Sequence, residues 1–173
     1  MKTISRQEIF SGRILKVYKD DVLFPNGTIG TREVVYHKEA AAVVAVDEND
    51  EILIVTQYRY ALGRELQELP AGLIDDGENP LEAAKRELRE ETGYEAAEWK
   101  KLTTIHTSPG SHNEVLHIFA ASGLKKAGDQ HLDEDEFLTA KKVPLKEALN
   151  MINTGAITDA KTVVGILMYT AGR

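Results

Sequence analysis

The sequence predicts an α/β fold, and three observations carry that expectation. Short β-prone runs crowd the chain up to Tyr58, one amphipathic helix is signalled between Glu78 and Thr92, and two further helices close the 173 residues. In order, residues 3–38 are strand-rich, with β-prone runs at Ile14–Val17, Asp21–Phe24 and Arg32–Tyr36. Pro25-Asn26-Gly27 separates the last two as a hairpin turn. Such a meander has little core of its own and must lean on something. Ala40–Val46 and Ile52–Tyr58 are apolar enough to be buried strands, joined by the turn Asp47-Glu48-Asn49-Asp50. Glu65–Pro70 is a short extended segment leading into Ala71-Gly72. The helix Glu78–Thr92 has Pro80 near its first turn and Gly93 just past its end. Trp99–Ile105 and Val115–Ala121 alternate like strands, and the acidic run Asp133–Glu136 is a loop. Pro144–Asn153 and Asp159–Thr170 are the closing helices, with Gly155 at the break between them. Two domains are expected, a β meander over residues 1–38 and a main domain over 39–173.

The chain is ordinary in bulk, 42% apolar and 28% charged, with a net charge of −7. That sign argues against nucleic-acid binding. It does not argue against a small anionic substrate, because a metal can supply local positive charge. There is no cysteine, which excludes disulfides and thiol catalysis. No apolar run approaches the roughly 20 residues of a membrane span, so no membrane partner is expected. The N-terminal MKTISRQEIF lacks the apolar centre of a secretory signal, and the expected location is the cytoplasm.

The chemistry concentrates on the 78–92 helix. Leu81, Ala84 and Leu88 form its apolar stripe, and Glu87, Glu90 and Glu91 fall on a second stripe at the rim of the packed face. Like charges so spaced cost about 0.2–0.5 kcal/mol per pair, unless a cation turns the cost into a binding site. Oxygen-rich sites of this kind suit hard cations such as Mg2+ or Mn2+. The histidines show no metal-ligand spacing: His117 reads as a structural strand residue, and His112 lies in a loop after Pro109.

Gly72, Glu78 and Arg86-Glu87-Leu88-Arg89-Glu90-Glu91-Thr92-Gly93 resemble the signature box of the Nudix hydrolases. Gly72, Glu78, Arg86, Glu87, Glu90, Glu91 and Gly93 match its seven fixed positions, and Leu88 fits an aliphatic slot. Tyr94 stands where the family usually has an aliphatic residue, a departure that touches packing. The resemblance implies a mixed sheet between helices, with the box forming loop, helix and loop. It implies attack of water on the diphosphate of a nucleotide derivative, assisted by divalent ions. By the same resemblance Glu87, Glu91, Glu90 and the Ala71 carbonyl are metal ligands, while Arg86 and Glu78 support them.

Finer resemblance points to the ADP-ribose pyrophosphatase branch, whose reaction gives AMP and ribose 5-phosphate. It rests on Pro109 sixteen residues beyond Gly93, Gln57-Tyr58-Arg59, Glu114, and Asp159-Ala160-Lys161-Thr162 opening the last helix. It implies substrate contacts from Arg59, Glu114 and Pro109. Glu134 becomes the general base and Glu136 a further ligand, with Glu90 also near the chemistry. In relatives the N-terminal region is exchanged between the subunits of a homodimer and sandwiches the adenine; Phe24 and Tyr36 are the candidate rings. The alternatives are nucleoside diphosphate sugars or other nucleoside diphosphate derivatives, and a non-catalytic nucleotide sensor.

Overall fold

In the computed structural model, which describes residues 1–132 and 136–172, the N-terminal segment is an antiparallel meander. Its strands β1 (Lys2–Ser11), β2 (Leu15–Leu23) and β3 (Ile29–His37) lie in that order. The turn at Pro25-Asn26-Gly27 forms as expected: the Phe24 N–H donates to the Thr28 carbonyl at 2.9 Å, and Asn26 Oδ1 accepts from the Thr28 N–H at 3.1 Å. Ile14–Val17 and Asp21–Phe24, expected as two runs, belong largely to the single strand β2, because β3 pairs with it without interruption. Inside it Asp20 is buried and bound by both Nε and Nη2 of Arg6, at 2.8 and 2.6 Å. The Arg6 guanidinium lies against the rings of Tyr18 and Tyr36, 4.9 and 5.0 Å from their centroids. Strand β1 has no inward face to read from the sequence, since all ten of its residues are exposed.

The chain divides into two compact units, residues 1–39 with 106–115, and residues 40–105 with those from 116 onward. In the first, the loop after Thr107 joins β3: the Val35 N–H donates to the Ser111 carbonyl at 2.8 Å, and the Asn113 N–H donates to the Val35 carbonyl at 3.1 Å.

The second unit contains β4 (Ala40–Ala45), β5 (Glu51–Arg59), β6 (Arg64–Glu68), β7 (Ala71–Leu73), α1 (Pro80–Thr92), β8 (Tyr94–His106) and β9 (Val115–Lys126) apart from their end residues His106 and Val115, β10 (Leu138–Pro144), α2 (Leu145–Asn153) and α3 (Ala160–Ala171). One sheet has the order β7-β4-β9-β8 and is mixed, with β4 parallel to β9 and antiparallel to β7. A smaller antiparallel sheet has the order β10-β5-β6. Every residue of β4 is buried, and its two faces meet different partners. Ala40, Ala42 and Val44 pack with Ile118 and with Ala148 and Ile166 of α2 and α3; Ala41, Val43 and Ala45 pack with Ala83, Ala84 and Leu88 of α1. The mixed sheet between helices, expected from the box, is therefore built around an alanine-rich strand. Alanine has little strand preference of its own, so burial from both sides holds it there.

The α1 boundaries follow from their caps. Asn79 Oδ1 accepts the Leu81 N–H at 2.9 Å, and Pro80 takes the first helical position. Gly93 adopts φ 70°, a conformation glycine reaches without strain, and its N–H donates to the Arg89 carbonyl at 2.8 Å. Strand β10 is not visible in the sequence: only Leu138 and Val143 are buried, and Lys141-Lys142 interrupts the apolar pattern. Pro144 ends this strand and stands at the N-cap of α2 rather than in its first turn. Among the described residues no helix is long and apolar enough to cross a membrane.

Candidate active site

Glu87 and Glu91 lie one turn apart on α1, and both are buried, at 8% and 2% exposure. The expected rim position therefore holds only for Glu90, whose side chain is 40% exposed. The reason is β7, which crosses beside the helix. A Cβ on Gly72 would fall 2.1 Å from the Glu87 carboxyl carbon, so only glycine leaves room for that carboxylate. The Ala71 N–H donates to Glu91 Oε2 at 2.9 Å.

Arg86 binds this cluster together. Its Nε and Nη2 donate to Glu78 at 3.0 and 2.9 Å, and Nη1 donates to Glu87 at 2.6 Å and to Glu90 at 3.0 Å. Nη2 also donates to the Leu73 carbonyl at 3.0 Å, fixing the β7 loop to the helix. Glu78 accepts the Asp75 N–H at 3.0 Å, and Arg86 holds its carboxyl below the usual range.

The two inner carboxylates are in a different state. Burial pushes Glu87 up to about 7, against the pull of Arg86, and the charges of Glu90 and Glu136 add to the rise. Burial raises Glu91 well above the ordinary value too, with Glu87 and Glu136 adding to it. A buried carboxylate without full compensation is costly, and it either takes up a proton or meets a cation. Among the described residues no three carboxylates or imidazoles already form a finished metal shell. The donor set nevertheless fits a hard divalent ion: clustered carboxylate oxygens, buried, with a charge deficit that a cation would fill.

A second cluster adjoins the first. Arg59, at the end of β5, donates Nε and Nη2 to the buried Glu68 at 2.7 and 2.6 Å. Lys161 also contacts Glu68 and reaches Asp159 at 3.1 Å. Burial would raise Glu68, but Arg59 and Lys161 overcome it and hold its carboxyl below the usual range. Both cations feel the charge of Glu91. Neither Glu68 nor Lys161 is assigned a role by the sequence pattern. Glu68 had a legible signal, since it alternates with Leu66 on the inward face of β6.

Of the sequence-predicted residues, Ala71, Glu87, Glu90 and Glu91 therefore meet around α1. Arg59 lies within electrostatic reach of Glu91, and Glu136 within reach of both inner glutamates. Glu134 lies outside the described residues. Pro109 and Glu114 belong to the N-terminal unit. Pro109 occupies a turn closed by the Ser111 N–H on the Ser108 carbonyl at 3.1 Å. Glu114 accepts from Thr107 Oγ1 at 2.5 Å and lies 3.6 Å from His37. His112 contacts Ser111 Oγ at 2.8 Å, and His117 contacts Thr104 Oγ1 at 3.2 Å. Tyr36 packs on Arg6, while the Phe24 ring covers Gly30 and lies 4.6 Å from the Arg32 guanidinium.

A mixed sheet between helices, with a loop–helix–loop that turns its glutamates inward, is the arrangement of a Nudix hydrolase, and the NUDIX domain profile matches residues 36–163. The chain belongs to that family and is a pyrophosphohydrolase acting on nucleoside diphosphate derivatives. Residues 1–35 match the nucleoside diphosphate sugar hydrolase N-terminal domain. The chain is 45% identical to a methanol dehydrogenase activator of Bacillus methanolicus, over 95% of this chain and 90% of that one. It is 43% identical to an ADP-ribose pyrophosphatase of Bacillus subtilis (strain 168), with the same coverage. An ADP compounds hydrolase of known crystal structure shares the fold, with a TM-score of 0.88 at 24% identity, over 98% of this chain and 92% of that one. Enzymes of this family generally depend on a divalent metal.

Proposed function

We propose that the protein is a magnesium-dependent ADP-ribose pyrophosphatase that releases AMP and ribose 5-phosphate and works as a homodimer in the cytoplasm. One observation carries the chemistry: two buried glutamates, Glu87 and Glu91, stand a helical turn apart, and Arg86 on Glu87 and the Ala71 N–H on Glu91 offset their burial only in part. The kinship to the Bacillus subtilis ADP-ribose pyrophosphatase supports the substrate.

Glu87, Glu90, Glu91, Glu136 and the Ala71 carbonyl would hold the ions. Bound there, divalent ions neutralise a diphosphate and acidify water next to it. Arg86 holds Glu87 and Glu90 in place before the ions arrive. Arg59 presents a guanidinium to the diphosphate, a planar donor suited to phosphate oxygens. Glu134 takes the proton from the attacking water, which requires it within roughly 3 Å when substrate is bound. Glu114 and Pro109 are the further substrate contacts of this reading.

The deciding experiment is a panel of ADP-ribose, GDP-mannose, UDP-glucose and a dinucleoside polyphosphate with Mg2+, its products separated and quantified. Fastest release of AMP from ADP-ribose is expected. Preferred turnover of a nucleoside diphosphate sugar would replace the substrate, a reading that the match of residues 1–35 favours as second choice. Binding of ADP-ribose without AMP would mark a sensor instead.

The dimer rests on the meander. Strand β1 is exposed along its whole length, and Ile4, Ile9, Phe10 and Ile29 stand in solvent. An exposed strand carrying large apolar side chains is a surface that a partner covers. Light scattering should give twice the 19.2 kDa chain mass; a single-chain mass would refute the dimer.

A further inference from the structure

We propose that Glu68 and Lys161 are positioning residues that set the Arg59 guanidinium for the diphosphate. The proposal rests on the reading that Arg59 contacts that group. Arg59 gives Nε and Nη2 to the two oxygens of Glu68. That fork fixes the plane of the guanidinium, because two parallel hydrogen bonds leave it no rotation. Among the described residues Nη1 has no partner, and the Arg59 side chain is 40% exposed. One edge of the fork is thus tied down and the other is free to meet an anion.

Glu68 could not do this alone. It is 1% exposed, and a lone carboxylate at that depth would need more than one partner. Lys161, itself only 11% exposed at its side chain, supplies the second cation and bridges Glu68 to Asp159. Asp159 is in turn fixed by the start of α3: it accepts from the Thr162 N–H at 3.0 Å and from Thr162 Oγ1 at 2.6 Å. The fully buried Thr162 accepts the Leu69 N–H at 2.8 Å through the same hydroxyl. The ring closes through the chain, because Leu69 follows Glu68. Two cations and two carboxylates therefore form a balanced set that welds α3 to the segment running into Ala71. The helix α3, whose Lys161 lies 93 residues beyond Glu68 in sequence, thereby sets the direction of Arg59.

The test uses the full-length enzyme with Mg2+ and whichever diphosphate compound the panel shows to be turned over fastest. Arg59→Ala should raise KM at least tenfold. Lys161→Met should raise KM about tenfold with kcat within threefold, and Lys161→Arg should recover most of the loss. The double variant Arg59→Ala/Lys161→Met should be no worse than Arg59→Ala alone, since both changes remove one interaction. Should Lys161→Met fold poorly by thermal melting, Lys161→Gln carries the same expectations.

A large Arg59→Ala effect with an unchanged KM in the lysine variants would overturn the positioning role while leaving the Arg59 contact intact. Effects that multiply in the double variant would do the same, because they would mean a merely structural lysine. An unchanged KM in Arg59→Ala would overturn the contact and the proposal together.

Discussion

Two buried carboxylate clusters lie side by side in this protein, and they have opposite electrostatic fates. Glu68 and Glu91 are equally hidden, at 1% and 2% exposure. Glu68 touches Arg59 and Lys161, and its carboxyl stays below the usual range despite burial. Glu91 has one backbone N–H and the distant charge of Lys161, with Glu87 and Glu136 against it, and it is raised well above the usual range. Burial is common to both, so the nearby cations make the difference. A cluster that is complete in itself positions other groups. A cluster left short of positive charge is suited to bind it from solution, and here it lies in the family's signature box.

Neutralising each cluster in turn should have opposite consequences. Glu91→Gln should lower turnover about a thousandfold or more, equivalent to roughly 4 kcal/mol of barrier, as measured by AMP release. Its metal-free melting temperature should hold or rise, because an uncompensated buried charge disappears. Glu68→Gln should do the reverse to stability, costing about 3 kcal/mol in urea unfolding, because two cations lose their shared partner. Equal stability effects in the two variants would mean that the two clusters do not differ in charge compensation.

Gly72→Ala comes next in size. The added methyl would collide with the Glu87 carboxylate at 2.1 Å, and overpacking of this kind costs about 1–3 kcal/mol. Turnover should drop about a hundredfold, roughly 2.7 kcal/mol of barrier. Wild-type rates in Gly72→Ala would mean that the position of Glu87 is unimportant.

The smallest effect is in pH. The folded Glu87 holds its proton up to about 7, well above an unfolded glutamate. The folded state therefore binds more protons than the unfolded one between about pH 4.5 and 7, and metal-free stability should fall as pH rises through that window. Glu91 acts in the same direction. Protons and cations compete for these oxygens, so the thermal shift produced by Mg2+ should grow between pH 6 and 8. Melting curves from pH 5 to 8, with and without Mg2+, test both trends. A metal-free melting temperature that climbs over the same range would contradict the assigned burial of charge.

Much of this was readable before any coordinates. Pro80 and Gly93 mark α1, expected from Glu78 and found from Pro80, because helix ends are set by neighbours in sequence. The spacing of Gly72, Glu78, Arg86, Glu87, Glu90 and Glu91 identified the family for a similar reason: one helix and one loop bring those residues together. Strand β10 was not readable, since its ladder comes from β5, 81 to 93 residues earlier from Leu138↔Gln57 to Pro144↔Glu51, and its own pattern is broken by lysines. The depth of Glu87 and Glu91 also escaped the helical stripe, which gives a direction around the axis but not what stands opposite. β7 stands opposite, with Gly72 against Glu87 and the Ala71 N–H on Glu91. The pairing of Glu68 with Lys161 was equally hidden, because no local rule relates residues 93 apart. The sequence by itself determined the chemistry-bearing helix and its kinship, because those depend on short-range spacing. The tertiary structure alone decided which carboxylates are compensated and which are left wanting a cation, because charge balance in an interior depends on whatever distant segment happens to pack there.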